Sequence, residues 1–247
     1  EEVLSRGHHN MVIAGYKAEQ DDDQLAKFIR ERSVDGVLFV SQLPTEMIKA
    51  TRDLLLPIVL VDDQREGIPA DSVLSDNRGG AFTATEHLIA KGHRRIAFFK
   101  SREGILNFEM RLEGYKAALE KNGIAFDPSL VIPEVLVNDE NIAVDQLVRE
   151  GFDFTAAFAV NDDTAVTVMQ SFRTAGYSVP GDISIIGYDD TVFGQFMGLT
   201  TMAVNKKRLG EIGADMLFRR MKEPDRDYEK YVLDVELVER DSVRCLV

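Results

Sequence analysis

Five stretches of this sequence place small polar or charged side chains directly after a short apolar run. They are Ser41-Gln42, Asp62-Asp63, Lys100-Ser101, Asn161-Asp162-Asp163 and Asp189-Asp190. A sixth polar stretch leads through Asn107-Phe108 to Arg111. Paired carboxylates of this kind serve either acid/base chemistry or metal binding. Both need further partners. The four histidines are His8, His9, His87 and His93, and none stands beside an acidic doublet. The chain has no HExxH helix, no His/Cys metal spacing, no GxSxG elbow, and no Lys-Ser/Thr after Gly79-Gly80 to make a phosphate loop. No catalytic residue, metal ligand or cofactor is assigned. Carboxylates, amides and one guanidinium converging on a crevice suit a ligand rich in hydroxyl groups, which both donate and accept hydrogen bonds. Three plainer readings stand beside this one. Asp and Asn between a strand and a helix are favoured helix caps, so at least one member of each doublet is expected to cap. From spacing alone, Arg111 reads first as an exposed helix charge, and Phe108 serves equally as a stacking face or a core contact.

The elements that position these residues alternate short apolar runs with longer amphipathic ones. Met11-Val12-Ile13-Ala14 reads as a strand, 24–32 as a helix, Gly36-Val37-Leu38-Phe39-Val40 as a buried strand, 45–55 as a helix capped by Pro44-Thr45, and Pro57-Ile58-Val59-Leu60-Val61 as a buried strand. The alternation restarts with a helix at 80–91 capped by Asp76-Asn77. A strand Ile96-Ala97-Phe98-Phe99 follows, then a helix at 111–121, a short strand Leu130-Val131-Ile132 and a helix at 141–149. The strand Ala156-Ala157-Phe158-Ala159-Val160, a helix at 164–175, the strand Ile183-Ser184-Ile185-Ile186-Gly187 and a helix at 209–221 come next. The tail 231–239 alternates like one half-buried strand. This is an α/β pattern of two doubly wound parallel-sheet lobes, and such sheets bind ligands where their strands end.

Composition narrows the function classes. The 247 residues carry 42 acidic and 29 basic side chains, a formal charge of −13. Nucleic-acid affinity comes largely from clustered Lys and Arg that neutralise phosphates, and the densest basic spots here are only His93-Arg94-Arg95 and Lys206-Lys207-Arg208. The chain by itself is expected to bind nucleic acid poorly. One cysteine, Cys245, excludes an intrachain disulfide and fits a reducing cytoplasm. No apolar run reaches the roughly 18–20 residues of a membrane span.

Several motifs, in order and at matching spacings, resemble the LacI/GalR family. Ser75-Asp76-Asn77-Arg78-Gly79-Gly80 with His87-Leu88 and Gly92-His93-Arg94-Arg95-Ile96-Ala97-Phe98 looks like its "DN..G…HL…GHR.IAF" signature. Arg111 to Leu119 resembles "R..GY..AL". Asn161-Asp162 and then Val179-Pro180-Gly181-Asp182-Ile183-Ser184-Ile185-Ile186-Gly187-Tyr188-Asp189-Asp190 resemble "ND….G..VP.DISIIGYDD". Leu199-Thr200-Thr201 with Leu209-Gly210 resembles "LTT…….LG", and Glu236-Leu237-Val238-Glu239-Arg240-Asp241-Ser242 resembles "ELV.R.S".

The resemblance implies a periplasmic-binding-protein type I-like fold with three chain crossings, near Ser75, Val204–Asn205 and Asp234. It implies an N-terminal lobe of 1–74 plus 206–233 and a C-terminal lobe of 75–205 plus 234–247. The family's basic headpiece and first core strand have no counterpart in these residues. The resemblance further implies a cytoplasmic homodimer that meets operator DNA only through such a headpiece. A small effector, a sugar or sugar phosphate, would sit in the cleft between lobes. Arg111, Asn161 and Asp189 carry over as its ligands from the motifs, Asp62 and Asn107 from variable loops where some members place a cleft Asp and a small polar contact, and Ser41 joins them from a strand end. Ile105 stands where purine-responsive members carry Arg, and Val204 where many members carry Gln. The alternative on the same fold is the periplasmic sugar-binding protein of a transporter.

Overall fold

The computed structural model describes residues 11–13, 29–31, 33–41, 43–65, 67–101, 104–133 and 142–246. Gln42 and most of the helix expected at 24–32 lie outside them. Met11, Val12 and Ile13 are described and join no strand, and they are 43%, 60% and 81% exposed. The strand expected there is therefore not formed by these residues.

Two compact units divide the chain: Glu1–Ser75 with Asn205–Leu233, and Asp76–Val204 with Asp234–Val247. The first holds β1 (Val37–Val40), α1 (Thr45–Asp53), β2 (Ile58–Val61) and β3 (Asp71–Ser75). It is completed from far along the chain by α7 (Lys206–Lys222) and β9 (Lys230–Leu233). The sheet order is β1-β2-β3-β9, all parallel. Phe39, Ile48, Ile58, Leu60 and Ile68 form one core cluster. Gly213 of α7 lies so close to Val61 that an added Cβ would stand 2.7 Å from it. Pro44 opens α1 without any side-chain cap bond.

The second unit holds α2 (Asn77–Ala90), β4 (Ile96–Phe99), α3 (Leu106–Lys121), β5 (Val131–Ile132) and α4 (Ile142–Glu150). It continues with β6 (Ala156–Ala159), α5 (Asp162–Thr174), β7 (Ser184–Tyr188), α6 (Val192–Phe196), β8 (Thr200–Ala203) and β10 (Glu236–Val238). Its six-stranded order is β10-β8-β7-β6-β4-β5, parallel except for β10, which runs antiparallel along β8. Alternate side chains of a strand face opposite ways. Ile96 and Phe98 thus join Leu88, Leu112 and Tyr115 on one face, while Ala97 and Phe99 join Val168, Met169 and Phe172 on the other. Both faces are covered, so the strands read as unbroken apolar runs. On the first face α2 and α3 pack closely at Gly114, where an added Cβ would meet the Arg78 carbonyl and stand 2.9 Å from Ala81 Cβ.

The expected tail strand at 231–239 is two strands in two sheets, broken at Asp234–Val235. Beyond β10 the tail is stitched into the second unit. Ser242 Oγ donates to the Ile185 carbonyl (2.6 Å) and accepts from the Thr200 amide (2.8 Å). The buried His93 ring lies 2.9 Å from Thr155 Oγ1 and 3.2 Å from the Arg244 carbonyl. Burial holds its imidazole below the ordinary value of 6.5. A folded value below the unfolded one means that the unfolded chain takes up a proton the folded chain refuses. Its contribution to stability is present above pH 6.5 and is lost as pH falls below it. We expect the melting-temperature advantage of the parent over His93→Gln to shrink between about pH 7.5 and about pH 5.5. A pH-independent difference would contradict this.

Candidate functional site

In the second unit the carboxyl ends of β6 and β7 bring three elements together around Arg111. Sequence spacing starts its helix at Arg111 itself; in the structure α3 begins at Leu106. The earlier start places Asn107 and Arg111 four residues apart on one face, and both are buried. Arg111 is 2% exposed, which overturns its reading as a surface charge. Its Nε donates to Asn77 Oδ1 (2.8 Å), Nη1 to the Val160 carbonyl (2.7 Å) and Nη2 to Asp189 Oδ1 (3.2 Å). The guanidinium carbon lies 3.7 Å from the Tyr188 ring centroid and 5.5 Å from that of Phe108. A planar cation held on three sides and stacked on an aromatic face has little freedom left.

Asp189 is bonded to this cation, and Asn161 follows Val160, whose carbonyl the cation also holds. Asn161 ends the run after β6 and caps α5, its Oδ1 accepting from the Thr164 amide (2.9 Å). Asp189 follows β7 with φ 112, and Asp190 with φ 49. Both lie in a region that residues with a side chain rarely occupy. Asp190 pairs with Arg240 at 2.6 Å. The helix that follows is capped by Thr191, whose side chain accepts from Gly194 N.

The capping expectation for the acidic doublets therefore fails. Asn161, Asp76 and Thr191 are the caps here, and no Asp of the three doublets is one. Asp62-Asp63 leads into a loop before β3 with no helix to cap. Asp76 alone caps α2, through the Gly79 amide (2.8 Å), which leaves Asn77 to hold Arg111.

Asp162, in sequence one member of an acidic doublet, has a different place in the structure. It is fully buried: Oδ1 accepts from Thr201 Oγ1 (2.6 Å) and Oδ2 from the Thr191 amide (2.7 Å). Burial pushes its carboxyl up to about 6, and the nearby Asp189 charge adds to this, while the bonds from Thr201 and Thr191 oppose it. Asn77, Tyr188 and Arg240 are thus parts of this arrangement that the strand-end reading missed, while Asp162 lies in one of its stretches without a role assigned. For Asn77 a signal existed: a helix start needs one cap, so the Asp76-Asn77 pair leaves one residue over.

The first unit places its two expected residues as follows. Asp62 follows β2 with φ 57, and Ser75 Oγ lies 3.4 Å from its Oδ1. Ser41 follows β1, exposed, with φ 64 and its amide on the Val61 carbonyl (2.9 Å). Asp63 turns inward instead, pairs with Arg65 at 2.9 Å, and is raised above the ordinary carboxylate value by burial. Among the described residues no group of three His, Cys, Asp or Glu is placed to hold a metal ion, and no helix is long and apolar enough to cross a membrane.

Known proteins share both the sequence pattern and the fold. Residues 85–243 match the periplasmic binding protein-like domain family. The HTH-type transcriptional repressor PurR of Vibrio atlanticus is 32% identical over 227 residues, covering 89% of this chain and 67% of that protein. The ribose operon repressor of Haemophilus influenzae is 28% identical over 251 residues, covering 100% of this chain and 75% of that protein. A LacI family transcriptional regulator from Enterococcus faecium, solved with bound ribose, superposes with a TM-score of 0.83 at 28% identity, over 100% of this chain and 91% of that one. The transcriptional regulator CelR in complex with cellobiose gives 0.87 at 27% identity, over 97% and 75%. The two units are accordingly those of a periplasmic-binding-protein type I-like fold. The chain belongs to the LacI/GalR family of transcription regulators and is an effector-binding core of that family.

Proposed function

We propose that this chain senses a small polar ligand, a sugar in preference to a nucleoside, and through it controls the DNA binding of a cytoplasmic repressor. The ligand takes Arg111, Asn161, Asp189 and Asn107 from the second unit and Asp62 and Ser41 from the first, in the cleft between lobes. The observation that carries this reading is the buried Arg111, fixed on Asn77, Val160 and Asp189 where two strands end. A pre-aimed guanidinium beside a carboxylate and an amide offers a hydroxylated ligand donors and acceptors at little ordering cost. By the family resemblance, Ile105 stands where purine-responsive members carry Arg, which favours a sugar over a purine. Support for the ligand class comes from the relatives solved with ribose and with cellobiose. The chain acts as a homodimer without catalysis. Ligand binding favours one arrangement of the lobes and so shifts the population competent for operator DNA, which a headpiece contacts.

Thermal unfolding against ribose, cellobiose, sugar phosphates and nucleosides tests this. A sugar at about 100 times its dissociation constant adds about 2.7 kcal/mol of stability. A shift with nucleosides alone refutes the sugar preference, and no shift with any of the panel refutes the sensing of these classes.

A further inference from the structure

We propose that Asp162 is a positioning residue for the ligand: its buried carboxylate sets the Asp189–Thr191 turn and with it the direction of the Asp189 side chain. The consequence for ligand affinity rests on the function proposed above; the positioning itself does not.

Four elements converge on this one carboxylate. It stands on the first turn of α5 and is bonded to Thr201 of β8 and to the backbone of Thr191 ahead of α6. Gly187 of β7 and Gly194 of α6 close around it. An added Cβ at Gly187 would collide with Asp162 Oδ1 and stand 2.8 Å from Leu199, and one at Gly194 would stand 2.9 Å from Asp162 Oδ2. The cavity is thus shaped to the carboxylate, and a side chain at either glycine would displace it.

What the carboxylate holds is a turn that does not hold itself. Asp189 and Asp190 occupy positive φ in succession, a conformation that persists only where the surroundings impose it. The turn is tied from several sides: the Asp189 amide donates to the Met202 carbonyl (2.8 Å), Arg111 donates to the Asp189 carboxylate, Arg240 and Gln195 bond Asp190, and the Thr191 amide donates to Asp162. Only the last tie comes from the element that also carries Asn161. The Asn161 cap and the Asp189 carboxylate are thereby fixed against one another through a neighbour in sequence to the first and in space to the second.

The charged groups around Asp162 are few. Asp189 faces it as a like charge, and Arg111 offsets Asp189 from the other side. The Asp190–Arg240 pair follows in the turn, and Asp163 on its own helix is exposed. Protonation of Asp162 near pH 6 removes the charge that the Thr191 amide bonds to, so the turn and the ligand affinity are expected to respond there.

Two variants of the purified chain separate positioning from bulk. Asp162→Asn keeps an acceptor for the Thr191 amide; Asp162→Ala removes it. Hydrogen exchange over 187–198 is expected to quicken at least about tenfold in Asp162→Ala and little in Asp162→Asn, with 96–99 still protected in both. The Thr191 amide resonance is expected to titrate with a midpoint near 6 in the parent and to stay still in Asp162→Asn. D-ribose and cellobiose are the ligand probes, and the dissociation constant of whichever binds is expected to rise at least about tenfold in Asp162→Ala. Unchanged exchange in the alanine variant together with a silent Thr191 amide overturns the proposal. A loosened turn with unchanged affinity overturns its link to the ligand. An intact titration with neither sugar bound refutes the ligand class proposed above and leaves the positioning standing.

Discussion

Replacing Arg220 with methionine is expected to cost the first unit about 3–5 kcal/mol. Arg220 stands near the end of α7, and its forked guanidinium meets the Asp71 carboxylate with Nε at 2.9 Å and Nη2 at 3.1 Å. Both side chains are buried, at 5% and 2% exposure. The same guanidinium donates to the carbonyls of Pro224 and Asp227 at 3.0 Å each and stacks 4.4 Å from the Tyr228 ring centroid. Asp71 in turn accepts from the Glu229 amide at 2.8 Å. One ion pair therefore fastens the end of α7, the loop after it and the start of β9 to β3. Removing the cation leaves a buried carboxylate without its counter-charge, and the penalty is that of an unpaired buried ion. Thermal and urea unfolding with a probe in the first unit checks this. A loss below about 1 kcal/mol would show the pair to be hydrated in solution. The double variant Arg220→Met with Asp71→Leu removes both charges and is expected to recover part of the loss, as matched apolar replacement of buried pairs does.

Arg111→Ala is expected to weaken ligand binding by about tenfold to a hundredfold, the worth of a charge-assisted bond to a buried group. It also has a structural cost. The Val160 carbonyl and Asn77 Oδ1 each lose a donor at a buried site, so the second unit is expected to lose about 1–3 kcal/mol as well. Arg111→Lys distinguishes the two effects. Lysine keeps the charge and loses the planar fork that bonds in three directions, so its affinity should fall between parent and alanine. Calorimetric titration with the sugar giving the largest thermal shift makes the comparison. Unchanged affinity in a folded Arg111→Ala chain would remove Arg111 from the site.

The fold was legible wherever apolar period and element length agreed. The run Ile96-Ala97-Phe98-Phe99 is β4 residue for residue, because a strand covered on both faces needs no polar positions. β3 was not legible: its sequence is Asp71-Ser72-Val73-Leu74-Ser75, all buried, with the polar members held by Arg220 and by neighbouring chain. β8 was hidden likewise by Thr200 and Thr201, whose hydroxyls are spent on Arg240 and Asp162. Local pattern records polarity, and a polar residue whose partner lies far along the chain looks the same as a solvated one. The site shows the same division. Strand-end position found Arg111, Asn161 and Asp189 as polar groups, but which of them support one another depends on the approach of β6, β7 and α2. Of the two side chains that orient Arg111, Asn77 leaves a trace in the sequence as the spare member of a capping pair, whereas Tyr188 announces itself only in three dimensions.

The chain passes between its two units at Ser75–Asp76, at Val204–Asn205 and at Leu233–Asp234. Consequently neither unit is a continuous stretch of gene. The first sheet waits for β9, and the second for β10 and the Ser242 clamp, so during synthesis both remain unfinished until almost all of these residues have left the ribosome. For the same reason a fragment cut at either early passage would expose the flank of β3 or of β8 where its last partner belongs.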